Sequence, residues 1–178
     1  MLAEILDWVL IAAGVLATFI VAILLIGSFL PRAHVVSRSV QTGKPPTAVW
    51  RIITDYQNVP TWHAQVLRVE RLPDRNGHEV WRETYKGGYP IQLETVEAVA
   101  PQRLVRSIAD EKGPFSGRWE FAIAAAEPGS RVTITEYGVI PNPFFRFLAR
   151  LFMNPAAYLE RYLKALAGKL GEPARIEG

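Results

Sequence analysis

The stretch GRWEFAIAAAEPGSRVTITEYG, residues 117–138, decides the fold because apolar and polar residues alternate on both sides of a tight turn. Such alternation is typical of β-strands with one buried and one solvated face. The turn EPGS, residues 127–130, joins the two strands into an antiparallel hairpin. The residues predicted on the buried face of this hairpin are Trp119, Phe121, Ile123, Val132, Ile134 and Glu136.

Five more strands are predicted before this hairpin. HVVSRSVQT, residues 34–42, forms the first, and residues 43–64 after it hold only short helical segments. Four further strands follow at hairpin spacing, in the segments VLRVERL, HEVWRETYK, IQLETVEAVA and RLVRSIAD. Because consecutive strands with short turns form a meander, the sequence predicts about seven antiparallel strands with one apolar face to cover.

A long helical pattern follows the hairpin, in NPFFRFLARLFMNPAAYLERYLKALAGKL, residues 142–170. The leucines at helical spacing are Leu159, Leu163, Leu166 and Leu170. Their stripe is predicted to pack on the apolar face of the sheet. Pro155 lacks an amide N–H, so we expect a kink or break there, with Asn154 capping the second half. Residues Pro173 to Gly178 are predicted to form a frayed tail.

The first strand is preceded by WVLIAAGVLATFIVAILLIGSFL, Trp8–Leu30, which contains no Asp, Glu, Lys or Arg. As an α-helix it would be roughly 35 Å long, against about 30 Å for the hydrocarbon core of a bilayer. A cleavable signal peptide would have a basic start and a shorter apolar core, whereas Glu4 and Asp7 precede this run. The sequence therefore predicts a membrane-spanning anchor that makes the lipid bilayer a partner of the chain.

Charge predicts the orientation of this anchor. Four basic residues follow the apolar run before the first acidic residue, Asp55. They are Arg32, Arg38, Lys44 and Arg51. The positive-inside rule therefore predicts a single-pass membrane protein with its C-terminal domain in the cytoplasm.

Composition excludes several classes of site and partner. The chain has no cysteine, which excludes disulfides, zinc-thiolate sites and cysteine nucleophiles. Its three histidines, His34, His63 and His78, are far apart, so we expect no metal site and no cofactor. The net charge of +3 is well mixed, which predicts no nucleic-acid partner, and the sequence indicates no particular protein partner.

Three short motifs connect the predicted elements to a known family. They are GxWxF at residues 117–121, TxTExG at residues 133–138 and NP at residues 142–143, where the last helix opens. Together with the order of elements, they resemble the START-like helix-grip superfamily, which includes the plant allergen Bet v 1, START lipid-transfer domains and polyketide cyclase/dehydrase-type proteins. The resemblance spans residues 34–170 and implies an α+β helix-grip fold, a curved antiparallel sheet wrapped around the long C-terminal helix.

The resemblance and the hydropathy pattern together give three predicted parts of the chain. Residues 1–31 form the transmembrane anchor, residues 32–170 the helix-grip domain, and residues 171–178 the C-terminal tail. The anchor is an addition to the usual soluble member of the superfamily.

Strand alternation places eight candidate ligand-binding residues at a cavity between the sheet and the last helix. They are Trp81, Glu83, Tyr85, Arg106, Trp119, Phe121, Ile134 and Glu136. Arg106 lies in a strand of mixed pattern and can point either way. An unpaired buried carboxylate is unfavourable, so Glu83 and Glu136 each need a partner. They hold the polar end of a ligand, pair with an arginine inside the domain, or lie at a strand end where the side chain reaches water.

Three functions follow from this reading. The favoured one is a membrane-anchored protein that binds a hydrophobic small molecule, lipid or isoprenoid-like, in the cavity. The second is a polyketide cyclase/dehydrase-like enzyme that uses Glu83 or Glu136 as acid or base. The third is a non-catalytic, membrane-associated interaction module with a cavity filled by side chains. No catalytic residue is assigned.

The segment FFRFLARLF, residues 144–152, has two interpretations. Arg146 and Arg150 lie four residues apart on one helical face, among large apolar residues. This face either lies in the membrane interface beside the anchor and gates the cavity, or packs in the core with both arginines solvated. The sequence favours core packing.

Overall fold

A computed structural model describes residues 1–88, 90–110 and 113–178, without the side chain of Leu2. The chain begins with helix α1, Leu2–Phe29, whose residues Ala3–Phe29 are long and apolar enough to cross a membrane. Nearly all side chains of this helix are exposed, and Ile23 and Gly27 near its end are the exceptions among those described.

The remaining elements follow the predicted order. Strand β1 (Ala33–Thr42) is followed by helix α2 (Pro46–Ile53) and a 3-10 turn (Tyr56–Thr61). The next strands are β2 (Val66–Arg75), β3 (His78–Tyr85), β4 (Ile91–Val99), β5 (Arg103–Ile108), β6 (Ser116–Ala125) and β7 (Ser130–Val139). The last elements are α3 (Pro143–Phe152), α4 (Pro155–Lys169) and the short strand β8 (Ile176–Glu177).

The described strands form one curved antiparallel sheet in the order β2-β3-β4-β5-β6-β7-β1-β8. This confirms the helix-grip fold, and the sheet has eight strands because the tail contributes one. The prediction of a frayed tail is wrong: Ile176 pairs with Val40 of β1. The carboxylate of Glu172 also accepts hydrogen bonds from the Thr42 hydroxyl at 2.6 Å and the Gly43 amide at 2.8 Å.

The C-terminal helical pattern is broken where the proline predicts it. Helix α3 ends at Phe152, α4 begins at Pro155, and the Asn154 side chain accepts a hydrogen bond from the amide of Ala157 at 3.0 Å. Helix α4 lies across the sheet and buries the predicted leucine stripe. Leu159, Leu163 and Leu166 are fully buried, while Leu170 is partly buried beside them.

The strand register defines two ends of the sheet. Val139 at the end of β7 pairs with Ala33 on one side and with Ser116 on the other. The end of β5, the start of β4 and the end of β3 lie at the same level. We call this the proximal end, because α1 is joined to it through residues 30–32. The distal end carries the turns at residues 76–77, 100–102 and 126–129.

Helix α3 packs against the end of α1 and leaves much of its own apolar surface uncovered. Arg146 is only 5% exposed, and its Nη1 donates a hydrogen bond to the carbonyl oxygen of Leu30 at 2.9 Å. Arg150 is exposed. The prediction of core packing with two solvated arginines is therefore wrong for this helix. Four large apolar side chains of α3 are exposed, and so is Met153 directly after it. The four are Phe144, Phe145, Leu151 and Phe152.

Candidate ligand-binding site

A cavity of about 340 Å³ lies at the proximal end of the sheet, beneath the junction of α3 and α4. Apolar residues supply most of its wall, among them Ile91, Ile108, Phe115, Trp119, Val139, Ile140, Phe152 and Met153. Small-molecule sites typically occupy about 300–1,000 Å³ and combine apolar walls with a few placed polar groups. The size and lining of this cavity fit that description.

Glu136 supplies the polar centre of the cavity wall. Its Oε2 accepts a hydrogen bond from Nε1 of Trp119 at 3.0 Å, and its Oε1 lies 3.0 Å from Nε2 of His34. With its proton on Nε2, His34 donates to Glu136, and Nδ1 remains as an acceptor. His34, Trp119 and Glu136 all line the cavity. The group can therefore hold a polar atom of a ligand against a wall that is mostly apolar.

The position of His34 depends on the residue that faces it across the sheet. Strands β1 and β7 pair His34 with Gly138. A Cβ atom added to Gly138 would lie 2.2 Å from Cε1 of the His34 ring. The absence of a side chain at residue 138 thus leaves the space that the imidazole occupies beside Glu136. Sequence reasoning missed His34, since its role becomes visible only when β1 is paired with β7.

Glu83 lies deeper and belongs to a separate polar network. Its Oε1 accepts from Nη1 of Arg106 at 2.5 Å, and its Oε2 accepts from the Tyr85 hydroxyl at 2.5 Å. The Tyr85 hydroxyl in turn accepts from the Tyr158 hydroxyl at 3.2 Å. The Arg106 guanidinium lies 4.1 Å from the ring centroid of Tyr56. Glu83 therefore forms the internal Glu–Arg pair that was one of the alternatives for its carboxylate.

Three aromatic residues lie between the inner space and the cavity, since Tyr85, Tyr158 and Trp119 line both. Burial and the neighbouring Glu83 raise the pKa values of both tyrosines, so both hydroxyls stay protonated. The space on the inner side is only about 30 Å³, enough for a water molecule and too small for an organic ligand. Among the described residues, Nε and Nη2 of Arg106 have no hydrogen-bond partner.

The structure divides the eight predicted site residues into three groups. Tyr85, Trp119 and Glu136 line the 340 Å³ cavity. Four others line only the 30 Å³ space: Glu83, Arg106, Phe121 and Ile134. Trp81, which was predicted to face the cavity, lines neither space. It is buried in the core with its ring 5.4 Å from that of Tyr56, because side chains fill the distal part of the space beneath α4.

The geometry limits the catalytic chemistry that the cavity can support. The predicted acid–base pair of Glu83 and Glu136 is divided between two networks, and Glu83 is held by Arg106. His34 and Glu136 form a hydrogen-bonded pair in the cavity wall, which also carries Lys86, Arg118 and Arg161. Within the described part of the chain, no three His, Cys, Asp or Glu side chains are grouped to hold a metal ion.

Comparisons with known proteins agree with this fold. A family model described as polyketide cyclase/dehydrase and lipid transport matches residues 33–172. The Zhui aromatase/cyclase from Streptomyces sp. R1128 is 13% identical with a TM-score of 0.64, over 78% of this chain and 94% of that chain. A START superfamily protein from Mycobacterium smegmatis is 19% identical with a TM-score of 0.59, over 78% and 97% of the two chains.

A third similar structure is larger than this chain. The di-domain ARO/CYC StfQ from the steffimycin biosynthetic pathway is 8% identical with a TM-score of 0.60, over 78% of this chain and 52% of that chain. At such identities the likeness shows the fold alone. No curated protein matches this chain.

Proposed function

Because the chain belongs to the polyketide cyclase/dehydrase and lipid-transport family, we propose that it is a membrane-anchored protein that binds a hydrophobic small molecule, lipid or isoprenoid-like. The observation that carries this proposal is the 340 Å³ cavity, whose wall is mostly apolar and carries the polar group of His34, Trp119 and Glu136. An interaction module with a cavity filled by side chains is disfavoured by the same observation.

The proposed ligand lies with its apolar body along Trp119, Phe115 and Ile108. Its polar end reaches the Glu136–His34 pair, where a hydroxyl group can donate to a carboxylate oxygen or to Nδ1 of His34. Of the eight candidate residues, Tyr85, Trp119 and Glu136 remain the proposed ligand contacts. Two additions follow from the lining of the cavity, His34 and Tyr158.

The proposed anchor is helix α1, with the ligand-binding domain on the cytoplasmic side. Its length and apolar surface support a single span, and the basic residues after it support this orientation. A C-terminal fusion to alkaline phosphatase tests the orientation, since this reporter is active only outside the cytoplasm. An inactive fusion is expected, with a green fluorescent protein fusion as the positive control. An active phosphatase would contradict the cytoplasmic assignment.

Native mass spectrometry of the detergent-extracted, full-length protein tests ligand binding. We expect a bound apolar compound that the Trp119→Ala variant retains several-fold less, since this change removes the indole from the cavity wall. The matched control is Trp62→Ala, which removes another half-buried indole that packs on Tyr162 away from the cavity. Equal retention by both variants, or no bound compound in the unmodified protein, would contradict the proposal.

Acid–base catalysis in the same cavity is a second candidate function, favoured by the 3.0 Å contact between His34 and Glu136. A neutral histidine next to a carboxylate is a common general base. Comparing the compounds bound to the unmodified protein and to His34→Gln separates the two functions. A carrier yields the same compound from both proteins, whereas an enzyme yields an unreacted substrate only from the variant.

A further inference from the structure

Two contacts fix α3 at the end of α1. Gly27 approaches α3 so closely that a Cβ atom there would lie 2.0 Å from the carbonyl oxygen of Pro143. The buried Arg146 forms the second contact through its hydrogen bond to the Leu30 carbonyl. This carbonyl belongs to the last residue of the apolar run, so α3 is held at the level where that run ends.

The outer surface of α3 is apolar and uncovered by any residue that the structure describes. Its exposed side chains include Phe144, Phe145, Leu151 and Phe152, and Phe152 is 79% exposed. Soluble monomers rarely leave contiguous apolar patches of this kind open to water. The only charge on the exposed part of the helix is the cation of Arg150, and the sequence has no acidic residue between Glu136 and Glu160.

We infer that α3 lies in the interfacial layer of the bilayer, with its exposed aromatic and aliphatic side chains at the boundary of the acyl chains. This rests on the proposed membrane anchor, because α1 would bring α3 to the bilayer surface. An interfacial amphipathic helix inserts its apolar face by about 5–10 Å, and its cations contact anionic headgroups. The short covalent connection and the two contacts to α1 favour the bilayer over a protein as the occupant of this surface.

With α3 in the interfacial layer, the cavity lies next to the membrane. Phe152 and Met153 at the end of α3 line the cavity and are also exposed. His34 follows Leu30 by four residues, so its Cα atom lies within about 14 Å of the end of the apolar run. A ligand that leaves the bilayer beside Phe152 therefore reaches the cavity without crossing bulk water.

Depth-dependent fluorescence quenching tests this placement in the full-length protein. Because the chain has no cysteine, single cysteines can be introduced by Phe152→Cys, Leu16→Cys and Val99→Cys without removing native thiols. All three positions are exposed, Leu16 in the middle of α1 and Val99 at the distal end of the sheet. Each variant carries a polarity-sensitive label in vesicles of phosphatidylcholine and phosphatidylglycerol that contain brominated lipids.

We expect strong quenching of the Leu16 label by lipids brominated near the bilayer centre. Lipids brominated near the headgroup should quench the Phe152 label several-fold more than the Val99 label. A quenched Leu16 label with equal values at Phe152 and Val99 would overturn the placement of α3 and leave the anchor intact. A Phe152 label that is shielded from water but not quenched would assign this surface to a protein partner or a second copy. An unquenched Leu16 label would overturn the anchor, and the placement with it.

Discussion

Glu83 and Glu136 both lie on the concave, largely apolar face of the sheet, but their surroundings differ. Glu83 is enclosed by Arg106, Tyr85 and the packed core, beside a space of only about 30 Å³. Glu136 is held by two weaker donors, Trp119 and His34, and it borders a cavity of about 340 Å³. The Arg106 guanidinium neutralises the Glu83 carboxylate, whereas the Glu136 carboxylate remains accessible from the cavity.

The difference indicates that Glu83 contributes to the stability of the fold and Glu136 to ligand binding. A buried ion pair is strongly destabilised when one partner is removed, because the other charge is left without compensation. The inner network therefore serves the fold, and it closes the distal part of the space beneath α4. The proximal part is left open where the sheet joins α1. The following predictions test that division, beginning with the largest effect.

Replacing Arg106 with methionine should lower the free energy of unfolding by about 3–5 kcal/mol, because Glu83 would lose its buried cation. The matched control is Arg103→Met, which removes an exposed arginine that pairs with Glu97 and Glu120 at the sheet surface. This control should change stability little. Chemical unfolding of the detergent-solubilised full-length variants, followed by tryptophan fluorescence, measures both. Similar losses in the two variants would contradict the structural role of the inner pair.

Adding a methyl group at Gly138 should affect the outer site, because the new Cβ would overlap the His34 ring. We expect Gly138→Ala to displace the imidazole from Glu136, reduce ligand retention several-fold, and destabilise the fold by about 1–3 kcal/mol. Gly168→Ala is the control, since a Cβ there meets no atom within 4 Å. In helix α4 this change should be neutral or stabilise by up to about 1 kcal/mol. Unchanged ligand retention in Gly138→Ala would count against His34 as part of the site.

The contact between α1 and α3 should be sensitive to a side chain at residue 27. Gly27→Leu would force α3 away from α1, and the label on Phe152→Cys should then be quenched several-fold less by lipids brominated near the headgroup. Gly14→Leu places the same side chain in open space on α1 and should leave this quenching unchanged. Equal quenching in both variants would show that the close approach at Gly27 does not position α3.

The smallest effect concerns pH. Burial lowers the pKa of His63, a residue that is 2% exposed and whose ring stacks on Trp62. Nearby Glu83 opposes this lowering of the pKa, and Arg161 adds to it. Because the folded-state pKa lies below the unfolded value of about 6.5, the unfolded chain binds the proton first as the pH falls. The contribution of His63 to stability is therefore constant above about pH 6.5 and is lost progressively below it.

Melting temperatures of the unmodified protein and of His63→Phe measure this contribution between about pH 7.5 and pH 5. The variant should lose less stability than the unmodified protein over this range. The control is His78→Phe, at the start of β3, which leaves His63 and Trp62 in place and should therefore keep the loss of stability that His63 causes. If His63→Phe showed that same loss, the buried imidazole would not be its source.

The sequence predicts those elements that depend on residues close together in the chain. The alternation of apolar and polar residues predicts the strands and places Trp119 and Ile134 on their inward face. The missing amide N–H of Pro155 predicts the break between the two C-terminal helices. These features depend on neighbouring residues, so they can be read from a short window. The curved sheet and the covering helix follow from them.

The features that sequence reasoning missed depend on long-range contacts. The His34–Glu136 pair forms only when β1 adds to β7, and β8 forms only when the tail returns to β1. Alternation shows which face of a strand is buried, but not where along the strand the cavity lies. Trp81 was therefore predicted to line the cavity, although core side chains fill the space around it. The packing of α3 on α1 depends on Gly27, which looks like an ordinary small residue within the apolar run.

Photoaffinity labelling tests the central claim, that the proximal cavity holds the hydrophobic ligand, most directly. Full-length protein in vesicles would be irradiated with a long-chain alcohol that carries a diazirine, and the labelled residues would be identified by mass spectrometry. We predict labelled residues in 115–119 and 153–158, in addition to those that contact lipid along α1 and on the exposed face of α3. Labelling confined to α1 and α3, or equal labelling of Trp81 and Phe121 in the packed part, would contradict the account.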